Sequence, residues 1–186
     1  MRIKFVLFTV ILFSSFLINA QKYIEGILVY GNGKEQTALI HKKIEGPFIK
    51  IKDTEGTMVK IESSDLKLIR ISSKKGEGEV LYEYLHITDH KGAVSKKPFW
   101  LNKIIDGQMA LYMESFIYAG NPAGSGNSWY FKRKNEKQAL LLSPLRLKKQ
   151  LPDYFKDNPN LAEKIKSGEI YDPREMVTAY NESFKK

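Results

Sequence analysis

The chain has 186 residues, with 30 Lys and Arg against 21 Asp and Glu, and no cysteine. The missing thiols exclude disulfide stapling, thiolate metal sites, cysteine catalysis and lipid attachment through a cysteine. A net charge of +9 points to polyanion partners rather than to a fold, and the length suits one domain with a core, hiding about 70% of its unfolded surface.

Residues Met1 to Ala20 open with Arg2 and Lys4, continue through the apolar run Phe5 to Leu17, and end on the small Ala20. That order is the one a secretory signal peptide uses. The run is shorter than the roughly 20 apolar residues needed to cross a bilayer, and Ser14 and Ser15 interrupt it. Cleavage is expected between Ala20 and Gln21. Without Arg2 and Lys4, 28 basic residues face 21 acidic ones and leave +7. The expected product is a periplasmic or secreted domain over 21–186, with no further transmembrane span.

From residue 21 to 72 the pattern predicts short antiparallel strands. Ile24 to Tyr30 is β-branched and aromatic, Gly31-Asn32-Gly33 is a strong hairpin signal, and Gln36 to Ile40 returns. Phe48 to Lys52 and Met58 to Ile61 flank the turn Asp53-Thr54-Glu55-Gly56, and Leu66 to Ser72 alternates with Ile69 and Ile71 inward. Lys67 falls either on that same face or in a bulge. This block reads as a small curled sheet or barrel-like unit. Ser73 to Glu79 is a polar loop.

A second block, 80–142, repeats the strand signal. Val80, Tyr82, Tyr84, His86 and Thr88 share one face, opposite Leu81, Glu83, Leu85 and Ile87. Phe99 to Ile105, Asp106-Gly107 and Met109 to Ile117 make a hairpin; Gly120 to Asn127 is a flexible crossing. Trp129 to Phe131 and Ala139 to Leu142 flank a charged tip at Lys132 to Lys137. Over 143–182 the rhythm becomes helical. Ser143-Pro144, Asn158-Pro159 and Asp172-Pro173 each set a capping side chain before a proline, whose missing N–H had no partner in the first turn. Asp172 and Glu175 have capping-box spacing, and Gly168 stands where a C-terminal glycine cap belongs. Leu147, Leu151, Tyr154 and Phe155, then Leu161 and Ile165, then Met176, Val177 and Tyr180 form apolar stripes that need a sheet to rest on. Pro152 either kinks one helix or separates two. The fold class is therefore α+β, mainly antiparallel β with a short C-terminal helical tail.

With a leader, Gln21, a lysine-rich hairpin region, the Asp106-Gly107 hairpin and the tail Leu151, Tyr154-Phe155, Asp157, Pro159, Leu161, Lys164-Ile165, Gly168, Val177 and Tyr180-Asn181, the chain is similar to exported Bacteroidota proteins of unassigned function. Some of these carry cysteine where Asn158 stands. The resemblance implies an envelope or extracellular location and brings no catalytic residues.

Few residues suggest chemistry. His86 and His90 with Asp89 raise a metal or acid–base reading, since imidazole ligates metals and titrates near neutrality; Glu83, however, points to the other strand face, and Asp89-His90-Lys91-Gly92 reads as a turn. His41 stands alone before Lys42 and Lys43. The stripe Tyr82, Tyr84 and His86 suits either a stacked sugar or partner, or packing beneath the helical tail. Gly120 to Gly126 lacks the Lys-Ser/Thr that completes a phosphate loop, and Asp153 with Asp157 occupies a polar helix face. Basic residues gather at Lys132-Arg133-Lys134, Arg146 and Lys148-Lys149, with further pairs at Lys74-Lys75 and Lys96-Lys97. An export signal favours acidic glycans or anionic lipid headgroups over nucleic acid as their partners. The reading is a non-enzymatic exported protein that binds or scaffolds an envelope component, without cofactor or metal. Its alternatives are an anion-binding module through Lys132–Lys149 and a histidine-dependent metalloprotein or hydrolase.

Overall fold

Gly31-Asn32-Gly33 closes the first hairpin as its sequence predicts: Gly33 N–H donates to the Tyr30 carbonyl and the Asn32 side chain accepts from Lys34 N–H. The computed structural model describes residues 22–53, 55–72, 78–117, 125–143 and 147–185. The leader-like segment, Ser73 to Glu77, Tyr118 to Gly124, and Pro144 to Arg146 lie outside these. The chain divides into two compact units, at Glu79 and Val80.

The first unit contains β1 (Tyr23–Tyr30), β2 (Glu35–His41), β3 (Phe48–Lys52), β4 (Met58–Glu62) and β5 (Leu66–Ser72). All its pairings are antiparallel, in the order β4-β3-β2-β1-β5, so the sheet is open rather than closed. Leu28, Ile40, Ile49, Ile51 and Ile69 are almost fully buried on one face. The position of Lys67 is settled by a bulge: Val29 pairs with Leu68 and Tyr30 with Leu66, which leaves Lys67 unpaired and exposed. Asp53 accepts two turn amides, from Glu55 and Thr57, as its turn sequence requires.

The second unit holds β6 (Glu79–Leu85), β7 (Ile87–Thr88), β8 (Phe99–Ile105), β9 (Met109–Ile117), β10 (Ser125–Arg133) and β11 (Ala139–Leu141), then α1 (Leu147–Tyr154), α2 (Pro159–Ser167) and α3 (Pro173–Glu182). Its strand order is β6-β8-β9-β10-β11-β7, antiparallel except for the parallel β11–β7 pair. β10 starts at Ser125, four residues before the expected Trp129, because its whole length is in register with β9. Pairing overrides the weak strand preference of Gly126 and Asn127.

Two of the three expected helix starts lie within the described residues. Asn158 Oδ1 accepts from Leu161 N–H, and Asp172 Oδ1 accepts from Arg174 N–H at 2.7 Å. Gly168 adopts φ +85° and caps α2 through Lys164 and Ile165 carbonyls. Pro152 sits inside α1 and does not split it; Phe155 N–H still reaches the Leu151 carbonyl.

The helical stripes bury against Met109, Leu111, Phe131 and Leu142. A bulge after Lys103 turns both Ile104 and Ile105 toward this layer. The stripe of Tyr82 and Tyr84 is not what the tail rests on. Helices of 8–10 residues are about 12–15 Å long and span about three strands at 4.8 Å spacing. They cover β8 to β10 and their own chain; Tyr84 instead packs its ring on Trp100 at 5.1 Å. The expected single strand through Thr88 also breaks at His86, where β7 departs to join β11.

Asn181 of α3 ties the tail to the sheet. Its Oδ1 accepts from Met109 N–H at 2.8 Å and its Nδ2 donates to the Met109 carbonyl at 2.9 Å, completing a strand-like pair. A Cβ on Gly107 would come within 2.5 Å of Asn181 Nδ2, so only glycine lets the hairpin approach. Asn181→Ala should lower the urea midpoint by an amount equal to about 1–3 kcal/mol with an unchanged m-value, since both Met109 backbone groups lose their partner. Phe155→Ala, emptying a site enclosed by the Phe131, Tyr154 and Tyr180 rings, should cost about 3–5 kcal/mol in the same assay.

Candidate functional site

The break at His86 creates an edge. His86 leaves the ladder with its ring Nδ1 2.9 Å from the Ser95 carbonyl, and its own carbonyl accepts from Ala139 N–H. After Thr88 the chain turns back through Asp89, whose Oδ1 accepts from Lys91 and Ala93 N–H. Those two amides, Ala93 first, hold the Asp89 carboxyl below its ordinary pKa. The expected turn at 89–92 is present, with Gly92 N–H closing on the Asp89 carbonyl.

Opposite this turn runs α1. Leu147 and Leu151 face the core, while Lys149, Gln150 and Asp153 reach the rim. Gln150 Nε2 donates to the His90 carbonyl at 3.0 Å and braces turn against helix. Between them lies a cavity of about 780 Å³, with Leu142, Leu147 and Leu151 of the helix-side core as its floor and Leu140 and Leu141 of β11 along its edge. Its rim carries Thr88, Asp89, His90, Ser143, Lys149, Gln150 and Asp153. The volume falls within the range of roughly 300–1,000 Å³ seen for small-ligand sites, and an apolar floor under a few polar groups is their usual build.

A second polar site lies at the far end of α1. Arg133 forks onto Asp157 at 2.7 and 2.9 Å and donates to the Tyr154 carbonyl. Its guanidinium lies 4.8 Å from the Tyr154 ring centre and 5.3 Å from that of Tyr180. Tyr180 donates to Asp157 at 2.6 Å and Tyr154 to Glu136 at 2.7 Å. Burial, then the bond to Asp157, pushes the Tyr180 phenol up to about 12. A neighbouring cavity of about 440 Å³ is lined by Gln108, Lys134, Asn135 and Phe184 along with these groups. The network clasps the β10–β11 turn to α1, to the link between α1 and α2, and to α3.

The sequence-predicted residues do not converge. Arg133 is committed to Asp157, whereas Lys132, in register with Ala110, faces the other side of the sheet. Lys134 lines the smaller cavity, and Lys149 stands on the groove rim. Lys148 lies over the C-terminal end of α2, where a Cβ on Gly168 would meet its Nζ at 2.6 Å, a position that suits a cation. Arg146 is outside the described residues. Tyr82 and Tyr84 are half-buried on β6, where burial raises both phenol pKa values. Among the described residues no three His, Asp or Glu side chains cluster as metal ligands, and no helix is long and apolar enough to cross a membrane.

Sequence reasoning missed one buried polar set on the face away from the helices. Tyr112 donates to Glu83 at 2.7 Å, Lys103 pairs with the same carboxylate, and Tyr130 donates to Glu114 at 2.7 Å. Burial first, and then the adjacent carboxylate, raises the pKa of both phenols. The signal was available in the strand parity of Tyr112 and Tyr130; their pairing with each other needed the β9–β10 register.

No family model, curated protein or solved structure matches the chain.

Burial works against the charge of Asp157, but the Tyr180 hydroxyl and Arg133 outweigh it and hold its pKa below the ordinary 3.8. A carboxylate with a depressed folded pKa contributes stability above its unfolded pKa, and that stability disappears as pH falls through the folded value. Asp157→Asn should therefore unfold more easily than the parent at pH 7, with the difference in urea midpoint closing below pH 3.8.

Proposed function

We propose that this is a non-enzymatic binding protein of the cell envelope, exported by its N-terminal leader, which holds its ligand in the groove between the 89–92 turn, β11 and α1. The observation that carries the reading is the leucine-floored cavity of about 780 Å³ with its mixed polar rim. The groups beside it that resemble catalytic ones serve the scaffold: Asp89 holds its own turn amides and the His90 carbonyl holds Gln150. The leader-like order of residues 1–20 supports the location.

An apolar anion, anilinonaphthalene sulfonate, serves as the probe. The protein should bind it saturably at one site, and Thr88→Trp, which fills the groove mouth, should weaken that binding at least tenfold while leaving the melting temperature within about 5 °C. Absence of saturable binding, or binding that Thr88→Trp leaves untouched, would remove the groove as the site. Binding that instead collapses with added salt and is matched by a sulfated glycan would move the ligand to the scattered lysines.

A further inference from the structure

The groove is bordered by an unfinished sheet edge. β11 pairs with β10 on one side, through Tyr130 with Leu141 and Phe131 with Leu140. On its other side β7 accompanies it only from Ala139 to Leu140. Leu142 N–H is spent on the Trp129 carbonyl, toward β10, and Ala139 N–H on the His86 carbonyl, toward β7. Backbone groups alternate sides along a strand, so the Leu141 carbonyl and Ser143 N–H face the β7 side. Beyond Thr88 that side has no strand neighbour among the described residues, because the chain has turned away at Asp89. Leu141, Leu142 and Ser143 line the groove.

Resting on the groove reading above, we infer that the ligand is an extended peptide segment that adds to the outer edge of β11 as a further strand. An edge of this kind rewards a chain that supplies a carbonyl and an N–H in repeat, while a pocket beside it selects alternate side chains. The rim adds charge complementarity. Lys149 and Asp153 stand one helical turn apart on α1, and neither forms an ion pair among the described residues. Positions i and i+4 on a helix lie about 5–6 Å apart at Cβ. Residues i and i+2 of a strand are separated by roughly 6.6 Å. A peptide with an acidic and a basic side chain two residues apart therefore matches the rim on the helix side, and its alternate apolar side chains fall on the other face of the sheet, on the side of Leu141. A single-sign polyanion matches neither.

The test titrates the full protein, ¹⁵N-labelled, with the capped peptide acetyl-Leu-Glu-Leu-Lys-Leu-amide, with the same peptide N-methylated at alternate amides, and with sodium dodecanoate. Strand addition requires saturable shifts at the Leu141 and Ser143 amides, slowed hydrogen exchange at Ser143, and at least tenfold weaker binding of the N-methylated peptide. Lys149→Glu, an exposed change that should leave folding intact, should weaken the peptide severalfold and be rescued by acetyl-Leu-Lys-Leu-Lys-Leu-amide, which sets a cation against each of the two rim carboxylates α1 then carries. Equal binding of both peptides, or shifts with dodecanoate alone, would overturn the peptide inference and leave the groove as an apolar site. If none of the three, nor anilinonaphthalene sulfonate, moves these amides, the groove reading falls as well.

Discussion

Met109, Leu111 and Phe131 form an apolar stripe across β9 and β10, and three helices of 8–10 residues depend on it. Helices that short are marginal in water by themselves. Their order comes from burying Leu151, Phe155, Leu161, Ile165, Met176, Val177 and Tyr180 on that stripe. Phe155 lies at the centre, its ring edge-on to Phe131, Tyr154 and Tyr180 at 5.6–5.8 Å. Aromatic contacts of this geometry add to plain area burial. The Asn181 bonds to Met109 and the Arg133 fork on Asp157 then fix where along the sheet the helices sit.

Strand parity sorts the second unit into two chemistries. Odd positions of β9 from Met109 to Met113 face the helices; Ala110 and Tyr112 face away, with Leu101, Tyr130 and Ala139. On that second side the polar groups are satisfied internally, Tyr112 and Lys103 by Glu83 and Tyr130 by Glu114. Satisfied buried groups of this sort rigidify a sheet and specify its register, because each would be costly to leave unpaired. The basic residues that stand together in the sequence are thus divided between structural duty and rim positions.

The groove follows from one local event. Where His86 turns to Ser95, the strand begun at Glu79 stops, and only two residues continue beside β11. The Asp89 turn then folds away and Gln150 holds it at a distance from the leucine floor. An edge, a floor and a charged rim coincide as a result. Each is ordinary separately; together they resemble the geometry by which an edge strand and a helix receive an extended chain.

Much of this architecture was readable from short-range patterns. Hairpins at Asn32, Asp53 and Asp106, caps at Asn158 and Asp172 and the glycine stop at Gly168 depend on residues within a few positions of one another, so local chemistry specifies them. The histidine pair was equally local, and its turn at Asp89 emerged as read. What the sequence could not carry was pairing between distant segments. The extension of β10 to Ser125 is imposed by β9, the bulges at Lys67 and Ile104 by register with partner strands, and the separation of Lys132 from Arg133 by which face each strand buries. The groove belongs to the same class: Thr88, Ser143 and Lys149 come together only because β7 joins β11 out of sequence order. By itself the sequence determined most element types and the capped ends of the last two helices, since these rest on backbone preferences and side-chain caps. Only the tertiary structure decided which faces meet and where an edge stays open, because those depend on long-range burial that no local pattern encodes.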